Sequence, residues 1–449
     1  MRSADEVFQP VDIPRDASAM LSFTPDMQLE IDRKIETALA DGRWKRPQNV
    51  PIDLISSDFW AYWISKSIRP VETPLDGTSL ETHFRNESHS RYVFDDGRSD
   101  FTISFAGDLM RTPGLTESAA SLYADVEELI FGTDISFGNL ESTLASAAPQ
   151  PLSFREGDAP SINLDIEEYR VLTSIGERRY DVLNLANNHI LDCGIDGIQT
   201  TCDQLDKDGI QQVGINLPKS SNGPKPQISE HNGLRVGWVA HTFSVNFKPF
   251  PKGHNGIVNQ TPFHLEAAPD LELIEQQIKI ARDKKCDLIV VSLHWGLEFE
   301  FFPHPDQLSW ARKIADAGAD VIVGHHPHVV QPLEIYSPVT EPARNVPILY
   351  SLGNLTPVFS HPAMAMSFIA RLGLSRASLG YAGRPILMEL EIVPVALVSS
   401  LTAGKRQLHL QRLNTLTART KDDDFSDYIR EMARYADLVI GSGWRGAEQ

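Results

Sequence analysis

From Phe101 onward, short and almost uninterrupted apolar runs take turns with longer amphipathic stretches, and this alternation constrains the fold more than any other feature of the chain. Runs of that kind predict buried strands at Phe101–Ala106, Ile135–Asn139, Asp181–Ala186, Arg235–His241, Asp287–Leu293, Asp320–Gly324, Leu333–Tyr336, Ile348–Leu352 and Leu387–Val393. Helical periodicity falls at Ala119–Phe131, Asp165–Gly176, Ile195–Lys207, Leu271–Lys285, Gln307–Ala317 and Asp424–Ile440. Strands separated by helices imply parallel crossovers, hence an α/β layered fold. Residues 1–95 read as an N-terminal extension and linker: a polar helix over Asp26–Asp41, an aromatic cluster at Phe59–Trp63 that reads as a staple to the main body ahead of a ligand platform, since so many exposed rings would make a sticky patch, and a polar connector over Pro74–Arg98. The main domain then spans 96–395 and a helical tail 396–449.

Composition narrows the class. Of 449 residues, 41% are hydrophobic and 22% charged, as in folded globular proteins. The formal net charge of −19 repels a phosphate backbone, so nucleic acid is not the expected partner, whereas metal cations are welcome. The three cysteines, Cys193, Cys202 and Cys286, form neither a CxxC pair nor a disulfide framework. No basic, apolar leader opens the sequence and no window is long and apolar enough to span a bilayer, so the expected location is cytoplasmic.

In open α/β folds ligands gather where strands end. Metal-capable side chains stand at five such ends: Asp108, Glu141, Asn188-His189, His294 with Glu298, and His325-His326-Pro327-His328. Singly, each has an ordinary explanation, such as a helix cap, a turn or a core imidazole. Three imidazoles within four residues after a β-branched run are harder to explain, since burial without partners is costly. His326 and His328, two apart in an extended segment, would project to one side. Carboxylate, amide and imidazole donors together suit one or two divalent transition ions, Mn²⁺, Fe²⁺ or Zn²⁺, which activate water for hydrolysis.

The ordered motifs Gly107-Asp108-Leu109-Met110, Gly138-Asn139-Leu140-Glu141, Ala186-Asn187-Asn188-His189, His294-Trp295-Gly296-Leu297-Glu298, Gly324-His325-His326-Pro327-His328 and Tyr350-Ser351-Leu352-Gly353-Asn354 resemble the CapA family of capsule or poly-γ-glutamate synthesis proteins. That family is similar to the calcineurin-like metallophosphoesterases. The resemblance covers residues 100–395 and implies a four-layer sandwich, two packed β-sheets flanked by helices. It also implies Asp108, Glu141, Asn188, His294, His326 and His328 as metal ligands, with His189 facing the leaving group. His325 is then a neighbour, unless the register shifts and it becomes a ligand with a second partner. Glu298 would serve as an extra ligand, base or substrate contact. Two departures stand out: Met110 replaces the histidine of the superfamily's Asp-x-His, and Glu141 replaces a bridging aspartate.

Asp192 either orients His189 or caps the helix that begins near Gly194. Phosphate-loop, dinucleotide, zincin and nucleophile-elbow motifs are missing from the sequence. The expectation is a metal-dependent hydrolase acting on a phosphoester or an amide or γ-glutamyl bond, in a small molecule or an anionic polymer. Its rival is a non-catalytic polymer-binding or assembly protein on the same scaffold.

Overall fold

A computed structural model describes residues 7–41, 56–145, 154–155, 160–217, 224–266, 268–376, 384–419 and 423–446. The architecture is mixed α/β and centres on two sheets of nine and six strands. The chain enters the larger sheet through β1 (Arg91–Val93), β2 (Phe101–Leu109), β3 (Ile135–Leu140), β4 (Val182–Asn184) and β5 (Gln211–Val213). It builds the smaller from β6 (Gln227–His231), β7 (Leu234–Thr242), β8 (Leu288–His294), β9 (Val321–His325), β10 (Leu333–Tyr336) and β11 (Val346–Leu349). It returns to the larger through β12 (Asn354–Thr356), β13 (Met366–Ser375), β14 (Ile386–Thr402) and β15 (Lys405–Arg412).

The larger sheet runs β5-β4-β3-β2-β13-β14-β1, with β12 also on β2 and β15 also on β14. Strands β2 to β5 are parallel, and β13 joins them antiparallel. The smaller sheet runs β6-β7-β8-β9-β11-β10; its four central strands are parallel and its two edges antiparallel. Every residue of β8 and β9 is buried, as expected for parallel strands covered on both faces. The sheets meet through Phe137 of β3, which stacks on Trp238 of β7 with centroids 5.4 Å apart.

Helices supply the crossovers. In chain order, α1 (Pro25–Asp41), α2 (Ser57–Ile68) and α3 (Leu80–Glu87) precede the main body, and α4 (Ile166–Thr173), α5 (Gly194–Asp208), α6 (Glu272–Asp283) and α7 (Pro305–Asp316) link its strands; α8 (Asp424–Ile440) follows. Asp165 starts α4 with a reciprocal capping box to Glu168. In α6 the buried Ile274, Gln277, Ile278 and Ala281 fall at helical spacing.

Several expectations need correction. Ala119–Phe131 is not one helix: turns lead to a short helix at Glu127–Ile130. The carbonyl of Leu122 is taken by the amide of Leu410 in β15, and Ser121 donates its hydroxyl to Leu408, so helical pairing is diverted to the sheet. The strand expected at Ile348–Leu352 ends at Leu349. Pro74–Arg98 is no bare connector, because it carries α3 and β1, and β1 pairs with β14. Positions 395 and 396 both lie inside β14. The aromatic cluster does act as a staple: Trp60, Tyr62 and Trp63 are buried in α2. Among the described residues no helix is long and apolar enough to cross a membrane.

Candidate metal centre

The parallel strands of both sheets deliver their carboxyl ends to one place. Asp108 is the penultimate residue of β2, Glu141 follows β3, and His294 and His325 close β8 and β9. Gly107 makes the first of these placements possible: a Cβ there would sit 2.1 Å from the carbonyl oxygen of Gly353. With no side chain in the way, that carbonyl accepts the Asp108 amide at 2.9 Å, fixing the carboxylate at the strand tip.

His326 and His328 do converge, with ring centroids 5.7 Å apart, but not by the extended backbone that the sequence suggested. Their φ values are +99° and +58°, a left-handed region that non-glycine residues rarely occupy. Such strain persists only where surrounding contacts hold it, and it gathers at functional sites.

Three sets of ligand atoms each lie within 4.8 Å of one another: Glu141, His294 and His326; Glu298, His326 and His328; and Asp108, Glu141 and His328. His294 Nε2 stands 3.4 Å from Glu141 Oε1 and 2.8 Å from Asn188 Oδ1. His328 Nε2 stands 3.8 Å from Glu141 Oε1 and 3.6 Å from Glu298 Oε1. All six side chains expected as ligands therefore come together, and Glu298 joins them. His325 is held differently: its Nδ1 bonds Asp108 Oδ1 at 2.9 Å, and it belongs to none of the three sets. Met110, one of the two departures noted in the sequence, is a fully buried apolar side chain.

The electrostatics fit a cation. Both carboxylate oxygens of Glu141 and Nδ1 of His326 are buried with no hydrogen-bond partner, so this cluster of donors can hold a metal ion. Burial, then the charges of Asp108 and Glu298, push the Glu141 carboxyl well above the ordinary carboxylate range. Burial works against Asp108 too, yet hydrogen bonds with His325 and His328 hold its carboxyl well below that range. Burial holds His294 and His326 well below the usual imidazole value, which keeps their nitrogens unprotonated and able to ligate. His328 is opposed by burial but raised by Asp108 and Glu298.

His189 lies at the edge, its Nε2 4.0 Å from Glu141 Oε1. Asp192 stays outside the cluster: its Oδ2 meets His189 Nδ1 at 2.7 Å and accepts the Ile162 amide, and its other oxygen pairs with Lys248. Its contact is with the imidazole and not with the start of α5, which has no side-chain cap.

Sequence reasoning assigned no role at this centre to four further residues. Asn139 donates to Asp108 Oδ1 at 2.8 Å, and Asn354 Oδ1 meets His328 Nδ1 at 2.9 Å; both sit inside motifs already noted, so a signal existed. Trp63 donates its indole N–H to Glu298 Oε2 at 2.6 Å, and Lys248 pairs with Asp192. Neither carries a local sequence signal, because the contacts join segments 235 and 56 residues apart.

Residues 102–357 match the family model described as "Bacterial capsule synthesis protein PGA_cap". The "PGA biosynthesis protein CapA" of Bacillus subtilis (strain 168) is 29% identical over 331 residues, 72% of this chain and 79% of that protein. The "Capsule biosynthesis protein CapA" of Bacillus anthracis is 32% identical over 263 residues, 56% of this chain and 59% of that protein. A solved structure, a hypothetical protein from Thermus thermophilus, aligns with 65% of this chain and 98% of its own at 14% identity, with a TM-score of 0.37.

Proposed function

This chain belongs to the bacterial capsule synthesis protein family PGA_cap, and from that premise we propose that it is a metal-dependent hydrolase of the metallophosphoesterase type. Its substrate is an anionic capsule polymer or a fragment of one, cut at a γ-glutamyl amide or a phosphoester bond. The names of the two Bacillus relatives, which refer to PGA and to capsule biosynthesis, support the polymer class. One observation carries the enzymatic reading: a buried carboxylate with two unpartnered oxygens, Glu141, ringed by imidazoles from separate strand ends. A protein that needed only a scaffold would gain stability by filling that position with an apolar side chain.

Asp108, Glu141, Asn188, His294, His326 and His328 would hold one or two divalent ions, with Glu298 as a further donor. Mn²⁺, Fe²⁺ and Zn²⁺ suit this mixture of oxygen and nitrogen donors. Such an ion supplies Lewis acidity and an activated water at neutral pH. The chain's own part falls to His189. Its Nδ1 is tied to Asp192, so Nε2 is the atom that passes a proton to the leaving group. Lys248 offsets the charge of Asp192 and keeps that carboxylate in place.

Elemental analysis of the purified protein, paired with assays on an aryl phosphate and on γ-glutamyl oligomers, tests the reading. We expect near-stoichiometric transition metal and turnover of one of the two substrates. His189→Ala should keep its metal while turnover falls about 10²-fold or more. Unchanged turnover would remove the acid role. A wild-type protein with neither metal nor turnover would favour the polymer-binding alternative, in which Met110 marks a disabled site.

A further inference from the structure

The loop that carries Glu298 is clamped from outside the matched region. Helix α2 and its exit reach it at four successive positions. Trp63 donates to Glu298 Oε2 at 2.6 Å. Tyr62 and Lys66 both donate to Glu300 Oε1, at 2.8 and 2.9 Å. Val71 gives its amide to the Phe299 carbonyl and accepts the Phe301 amide, each at 2.9 Å. Between these contacts Phe299 is held at φ +62°, a value that a bulky residue adopts only under restraint. Its ring lies between Trp63, at 5.5 Å, and His328, at 6.1 Å.

From this geometry we infer that Trp63 is a positioning residue for the metal centre: its indole N–H occupies one oxygen of Glu298 and so turns the other toward the imidazoles of His326 and His328. The inference rests on the metal-binding reading above and deepens it, because it makes a helix outside residues 102–357 part of the site. The physical reason is orientation. A glutamate on a loop samples several rotamers, and fixing one oxygen by a short hydrogen bond removes the entropy that metal binding would otherwise have to overcome. The indole suits the task, having a single donor and no acceptor, so it cannot compete for the cation. Trp63 is itself only 7% exposed, and its ring is packed edge-on against Trp60.

Calorimetric titration of the full, metal-stripped chain with Mn²⁺ alone tests this without an activity assay. W63F keeps an aromatic ring but loses the donor; where it lowers the melting temperature, a benzothiophene isostere of the indole at position 63 retains the shape without the N–H. Removing a partner that orients a ligand lowers metal affinity by about 10–100-fold, and W63F should fall in that range. E298Q should also bind Mn²⁺ more weakly, and W63F added to E298Q should cost little more, because the two act through one carboxylate. Wild-type affinity in W63F overturns the inference. So does a W63F loss that is as large in the E298Q background, which would mean that Trp63 acts through general packing. If E298Q binds like wild type while H326A does not, Trp63 is excluded and the metal site stands. If the wild-type chain takes up no Mn²⁺, the metal reading fails and the inference with it.

Discussion

Glu141 is the side chain whose position is hardest to account for without a cation. It is fully buried, neither oxygen has a hydrogen-bond partner, and Asp108 and Glu298 add like charge nearby. An unsatisfied buried polar group costs about 1–3 kcal/mol, and more when charged. Glu141→Met, close in volume and apolar, should therefore make the metal-stripped protein more stable by about that amount in urea denaturation. The same variant should lose the extra stability that Mn²⁺ confers on the wild type by mass action. A less stable metal-free variant, or one still stabilised by Mn²⁺, would mean that Glu141 is satisfied in some other way. The convergence of the six side chains was legible because each ends a strand or follows one, where an apolar run gives way to a polar residue. Of their partners, Asn139 and Asn354 lay inside the noted motifs, whereas Trp63 and Lys248 acquire their place at the centre only when distant segments meet. The convergence of His326 and His328 was legible too, though for a reason that proved wrong: left-handed backbone, not strand alternation, brings the rings together.

Secondary structure was most readable where burial is complete. Strands β2, β3, β7, β8 and β9 are nearly continuous apolar runs, and each lies within two residues of its expected limits at either end, except that β2 extends to Leu109. Strands β13 and β15 escaped notice because antiparallel pairing tolerates polar residues between apolar ones, as in Lys405–Arg412, where only residues 408–411 are buried. Helix α2 shows the same dependence on tertiary contact. Its aromatic residues promised packing, but the buried Lys66 could not be foreseen. The Lys66 and Glu300 side chains are only 5% and 3% exposed, and Tyr62 shares the same carboxylate oxygen. Removing one member of such a pair strands the other, a loss of about 3–5 kcal/mol. Lys66→Met should destabilise the protein by that amount in urea, and Glu300→Gln added to it should restore part of the loss. A cost below about 1 kcal/mol for Lys66→Met would show that water reaches the pair and that α2 is held by its aromatic face alone.

Across the fold as a whole, buried histidines couple stability to pH. Residues 7–15 are tied over the main body: Gln9 and Ser399 exchange amide hydrogen bonds at 2.8 and 2.9 Å, and the His361 amide donates to Arg15 at 3.0 Å. Burial, helped by the charge of Arg15, lowers the His361 pKa to about 3. Beneath α6, His241 is lowered by burial to about 4, its ring nitrogens engaged by Thr261 and Gln277. Without metal, burial holds His294 and His326 low as well. An unfolded histidine binds its proton near 6.5, so as pH falls below that value the unfolded chain gains protons that these sites refuse, and stability drops. Each such group contributes a slope of roughly 1.4 kcal/mol per pH unit until its folded pKa is reached. Glu141, raised when folded, works in the opposite direction, and the depressed Asp108 adds its own loss only below about 3.9, the unfolded value for aspartate. Four imidazoles outweigh one carboxyl between pH 6.5 and 5. Urea midpoints measured in EDTA should accordingly decline from pH 6.5 to 5, and His361→Asn or His241→Asn should each make the decline shallower by one proton. A flat or rising midpoint over that interval would mean that these imidazoles take up protons in the folded chain, and that the core around them admits water.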